Sequence, residues 1–201
     1  PLAMIGFEAH RNYQRSTSAP WVQAYKWPIM YFIAVGFWNL VGAGLLGFSI
    51  NTPLALYYMQ GLNMTAAHGH AALFGVYGML GIGLLLFCLR GLSDRAAWSD
   101  SLLKSMFWSL NIGLAMMVFM SLVPSGIYQA WASITQGVWF ARSPEVIHSA
   151  FMENLVWLRV PGDIVFAIGI VLLAVFALRL LMGGKASQAN PSNTESVPVR
   201  V

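Results

Sequence analysis

The chain has 201 residues, 58% of them hydrophobic and 9% charged, with a formal net charge of +4 and a mean hydropathy of +0.65. That balance excludes an ordinary soluble domain and fits a protein whose solvent is the bilayer. The single cysteine, Cys88, lies in an apolar run and excludes a disulfide framework or a cysteine-held metal cluster; no basic run with interleaved aromatics points to nucleic acid.

The opening PLAMIGFEAHR has no signal-peptide pattern and reads as the last turns of a helix already under way. Residues 1–26 are therefore expected to hold the end of a truncated preceding helix and a cytoplasmic loop, and the chain reads as the C-terminal piece of a longer membrane protein. Four apolar stretches follow at residues 27–50, 66–89, 102–123 and 158–181, each long enough to span a bilayer. Pro53, residues 91–94 and Pro124-Ser125-Gly126 are the expected breaks between them. The predicted fold is all-α: a polytopic membrane helix bundle with four transmembrane helices in residues 27–182. The long connection at residues 124–157 carries Tyr128, Trp131, Trp139, Phe140, Phe151 and Trp157, which suits short helices lying at the membrane interface. Residues 183–201 are polar and are expected to form a disordered cytoplasmic tail.

Basic residues set the expected orientation. Arg11, Arg15 and Lys26 precede the first span; Arg90, Arg95 and Lys104 lie between the second and third; Arg179, Lys185 and Arg200 follow or close the fourth. Of the eleven Lys and Arg residues, only Arg142 and Arg159 fall on the other side. The C-terminus is thus expected in the cytoplasm, and the second and fourth spans both start outside.

That orientation places the most informative pair, His68 and His70, in the outer third of the second span, TAAHGHAALFGVYGMLGIGLLLFCLR. Ionisable side chains at such depth are costly and usually functional. Positions i and i+2 of a helix differ by roughly 200°, so the two imidazoles point to opposite sides and serve separate neighbours. Hydrogen bonds to carbonyls or water would also account for them. Zinc is disfavoured, because one small ion cannot be reached from both faces of one helix; haem, which takes neutral imidazole as an axial ligand, fits better. Ala66, Ala67, Gly69, Ala71 and Ala72 leave the backbone bare around the pair, for a macrocycle or for close helix packing. Phe74 and Tyr77 share roughly the face of His70, and Arg159 enters the fourth span at the same depth as both histidines. Asn39 and Asn111 are read as interhelical hydrogen-bonding residues, and Met106, Met116, Met117 and Met120 as packing. His10 and His148 are not expected to be ligands.

The strings YYMQGLNMTAAHGHAALFGVYGMLGIG, residues 57–83, and WLRVPGDIVFAIG, residues 157–169, closely resemble the C-terminal part of nitric oxide reductases of the haem-copper oxidase superfamily, in particular the quinol-dependent branch. The resemblance implies a haem-copper-oxidase-like fold and two b-type haems. His68 would be the proximal ligand of the high-spin haem and His70 one axial ligand of the low-spin haem. Arg159 would contact haem propionates, with Asp163 orienting it or capping the helix start. It further implies a non-haem iron whose ligands lie upstream of this chain, together with the other axial histidine and the catalytic glutamates, so no catalytic residue is assigned here. The implied reaction reduces two nitric oxide molecules to nitrous oxide and water with electrons from quinol, in a bacterial inner membrane. The implied partners are the upstream helices of the same protein and the lipid bilayer. An oxygen-reducing oxidase, a bis-histidine electron-transfer cytochrome and a cofactor-free transport or scaffold protein are the alternatives.

Overall fold

A computed structural model describes residues 2–15, 19–92 and 98–188, the side chains of a few terminal residues excepted. Arg95, Asp94, Arg200 and residues 189–201, on which part of the loop, charge and tail expectations rest, lie outside the described residues. Among those described, the regular structure is entirely helical. Helix α1 (Leu2–Arg15) and a short α2 (Pro20–Ala24) precede the first long helix, α3 (Lys26–Asn51). A short helix, α4 (Pro53–Met59), leads to α5 (Asn63–Leu92), and α6 (Asp100–Gln136) follows. After a 3₁₀ turn at Phe140–Arg142 come α7 (Pro144–Ile147), α8 (Ala150–Trp157) and α9 (Arg159–Gln188).

Four stretches are long and apolar enough to cross a membrane, Lys26–Asn51, Asn63–Leu92, Asp100–Gln136 and Ala150–Met182, matching the four expected spans. Two boundaries differ from expectation. The third helix does not break at Pro124-Ser125-Gly126 but runs on to Gln136. Proline lacks an N–H, and its ring clashes with the carbonyl four residues back. Here residues Met117–Leu122 form a wide π-helical stretch immediately before it, with i→i+5 bonding, and the widened turn accommodates the ring. Gly126 likewise marks a helix contact and no break: a Cβ there would lie 2.5 Å from the backbone nitrogen of Met64. The fourth helix continues past residue 182 to Gln188, so residues 183–188, expected in a disordered tail, are helical.

The core lies between the spans. Tyr31 and Trp38 of α3, Met79 and Leu86 of α5, Leu103, Met106, Leu110 and Val118 of α6, and Phe176 of α9 are all at most 1% exposed. The third span is the centre of the bundle, with 50% of its most apolar window buried, against 17% for the fourth, which lies at the edge. The α3–α5 crossing is close because Gly42 faces Ala71, whose Cβ would lie 2.6 Å from a Cβ at Gly42. Asn111 makes the expected interhelical bond, accepting from Trp38 Nε1 at 3.0 Å while donating to the Phe107 carbonyl at 2.8 Å. Met106 and Met117 pack in the core as expected, whereas Met120 is exposed.

Candidate functional site

α5 enters the bundle from a tight loop in which Gly61 takes φ +72°, a backbone conformation that favours glycine. Its first turn is Asn63–Thr65, and His68 and His70 follow within the next two turns, both partly buried. Their rings diverge. His68 Nδ1 lies 2.9 Å from the Gly42 carbonyl of α3, and the ring edge abuts Gly47, where a Cβ would approach Cε1 to 2.9 Å. His70 Nδ1 lies 2.8 Å from the Ala66 carbonyl one turn back, and its Nε2 lies 3.1 Å from Arg159 Nη2 of α9. One helix therefore presents an imidazole to the first span and another to the fourth.

These partners fix the tautomers. A carbonyl only accepts, so each Nδ1 donates, and in the neutral ring the lone pair then sits on Nε2. Arg159 only donates, which agrees with an accepting Nε2 on His70. An Nδ1–H held on a backbone carbonyl orients the ring and raises the basicity of Nε2, the arrangement typical of a metal-ligating histidine. The residues present thus fit a pair of axial ligands to separate groups. Gly69 between them would meet nothing within 4 Å if it bore a Cβ. No three His, Cys, Asp or Glu side chains converge among the described residues, so each imidazole acts as a lone ligand on its own side.

Arg159 is brought to His70 and is held by Asp163, whose Oδ1 accepts from Nε at 3.2 Å, one turn along α9. Phe74 faces the same helix as His70 and meets the Phe166 ring edge-on at 4.5 Å. Tyr77 does not stay on that face; it is 68% exposed, because the π-helical stretch Leu73–Gly78 changes the angular step after Phe74. His10 pairs only with Gln14, at 2.9 Å on an exposed helix, and His148 sits exposed after α7.

Three residues outside the expected set hold the entrance to α5. Gln129 Oε1 accepts from the Asn63 backbone N–H at 2.9 Å, and Ser133 Oγ donates to the Tyr58 carbonyl at 2.9 Å. Arg142 donates to the Val138 carbonyl at 2.6 Å and, through its other terminal nitrogen, to the Gln60 carbonyl. The signal for the first two was present in the sequence. Ser121, Ser125, Gln129 and Ser133 recur every four residues in an apolar segment, which places them on one helix face.

Comparison with known proteins bears on the same residues. A nitric oxide reductase from Stutzerimonas stutzeri is 27% identical over 177 residues, an alignment covering 85% of this chain and 35% of that protein. The chain therefore spans about a third of the length of that relative. Residues 16–165 match the family described as Cytochrome C and Quinol oxidase polypeptide I. The matched range takes in His68, His70 and Arg159 with the elements that hold them, and by that match the chain belongs to the cytochrome c and quinol oxidase polypeptide I family.

Proposed function

We propose that this chain is the C-terminal, four-span part of the catalytic subunit of a quinol-dependent nitric oxide reductase of the bacterial inner membrane, supplying one axial ligand to each of two b-type haems. The divergence of His68 and His70, each with Nδ1 on a backbone carbonyl, carries this reading. His68 would ligate the high-spin haem through Nε2 while the Gly42 carbonyl retains its Nδ1 proton. His70 would ligate the low-spin haem in the same way, held by Ala66. Arg159, braced by Asp163, brings a positive charge to the His70 side, where the carboxylates of a haem would meet it. Bound there, the haems supply the one-electron chemistry that, with a non-haem iron held by residues outside this chain, turns two nitric oxide molecules, two electrons and two protons into nitrous oxide and water. The upstream helices of the same protein would cover apolar faces this chain leaves open, such as Phe48, at 75% exposure, and Leu73, at 67%. The likeness to the S. stutzeri nitric oxide reductase supports nitric oxide as substrate.

Two variants of the full-length protein test the ligand roles. His68→Ala is expected to lose the high-spin haem signal and keep the low-spin one, and His70→Ala to do the reverse. Normal binding of both haems by both variants would sink the assignment. An oxygen-reducing enzyme is the second reading, favoured by the family match itself. Nitric oxide and oxygen consumption measured on the same preparation separates the two.

A further inference from the structure

The start of α5 lacks a cap of its own. The first turn of a helix leaves backbone N–H groups without intrahelical partners, and the residue in the capping position, Leu62, has no side-chain acceptor to offer. The need is met from another helix. Gln129 of α6, 7% exposed, sends its carboxamide oxygen to the Asn63 N–H. One turn further along α6, Ser133, fully buried, grips the Tyr58 carbonyl, and Arg142 ties down Gln60. One turn short of Gln129, Gly126 lets the α6 backbone approach Met64 directly. The entry to α5 is therefore held against α6 at successive heights, and Gln129 makes the bond to the helix itself.

We propose that Gln129 is a positioning residue for the two imidazoles: by capping α5 from outside, it fixes the height and rotation at which His68 and His70 leave that helix. The role rests on the ligand assignment given above and adds to it a residue that touches neither haem. The geometry makes the pose sensitive to the cap. His68 follows Asn63 by five positions, about 7.5 Å along the axis, and slipping the helix by one residue would turn each imidazole by about 100°. A smaller rotation still changes how each Nε2 lone pair meets an iron and how each Nδ1 meets its carbonyl. Glutamate at this position keeps the acceptor and adds a negative charge that a helix N-terminus favours. Leucine keeps much of the volume and removes the acceptor.

The test uses the full-length protein in membranes and in detergent. Haem content, the electron paramagnetic resonance signal of the low-spin centre and the midpoint potentials are compared for wild type, Gln129→Leu and Gln129→Glu. Gln129→Leu is expected to shift the low-spin signal and the potentials and to lower turnover several-fold, and Gln129→Glu to restore values near wild type. If Gln129→Leu does not accumulate, Gln129→Asn, one methylene shorter and still polar, carries the same expectation of a shifted signal. Wild-type signals and potentials in the acceptor-shortened or acceptor-free variant would overturn the positioning role while leaving the ligand assignment intact. A wild-type protein that binds no haem would instead overturn the ligand assignment, and this role with it.

Discussion

A methyl group added at Gly47 would lie 2.9 Å from Cε1 of His68 and 3.3 Å from its Nδ1, too close for the ring to stay where it is. The ring cannot yield freely, because the same Nδ1 is held at 2.9 Å by the Gly42 carbonyl one helix away. Gly47→Ala should therefore rotate His68 off that carbonyl and cost about 1–3 kcal/mol as an overpacked site. The expected signature is selective: the haem assigned to His68 loses occupancy, while the one assigned to His70 keeps its spectrum. Optical spectra of the purified full-length variant decide it, and equal loss of both centres would count against a local effect. At this scale the sequence is informative about chemistry and silent about partners. That His68 and His70 diverge follows from a spacing of two on a helix. That the carbonyls of Gly42 and Ala66 orient them depends on where the first span passes and on the ring rotamers, which no local pattern encodes.

Among the helices, α3 and α6 are joined by one polar bond in an otherwise apolar contact, from Trp38 Nε1 to Asn111 Oδ1. Trp38 is 1% exposed, so Asn111→Leu strands a buried indole N–H with no water to replace the acceptor. The expected loss is about 1–2 kcal/mol of stability, at the upper end for polar contacts between membrane helices. Thermal unfolding in detergent should show it, and the double variant Trp38→Phe with Asn111→Leu should lose less than the sum of the single losses. The existence and order of the spans were legible because twenty or more apolar residues leave few alternatives in a bilayer. The end of the third span was misread for a definite reason: whether Pro124 stops a helix depends on the turn before it, and the π-helical stretch at Met117–Leu122 had already opened that turn. The same continuation carries Gln129 and Ser133 up to the loop before α5, which is why a segment expected to be a surface connection holds the entrance to the histidine helix.

Over the whole molecule, contacts sort the polar groups into two ends. At one, Arg90 donates to the Ala24 carbonyl at 2.9 Å and stacks over Trp98 at 4.9 Å, while Trp27 donates to Asp100 at 2.5 Å. That end joins the start of α3, the finish of α5 and the start of α6, and Lys26 and Lys104 lie there too. At the other end are the loop before α5, the end of α6, Arg142 and the Arg159–His70 pair. The excess of Lys and Arg at the first end is the pattern that holds a segment on the cytoplasmic side during insertion, so the histidine end should face outward. A background carrying Cys88→Ser and a single new cysteine at an exposed position of each end makes this measurable. Glu145→Cys marks the histidine end and Ser101→Cys the basic end. In spheroplasts a membrane-impermeant maleimide should label Glu145→Cys and spare Ser101→Cys, and in inverted vesicles the preference should reverse. The opposite labelling would put His68 and His70 near the cytoplasm, and would move any proton or electron entering at that level to the other side of the membrane.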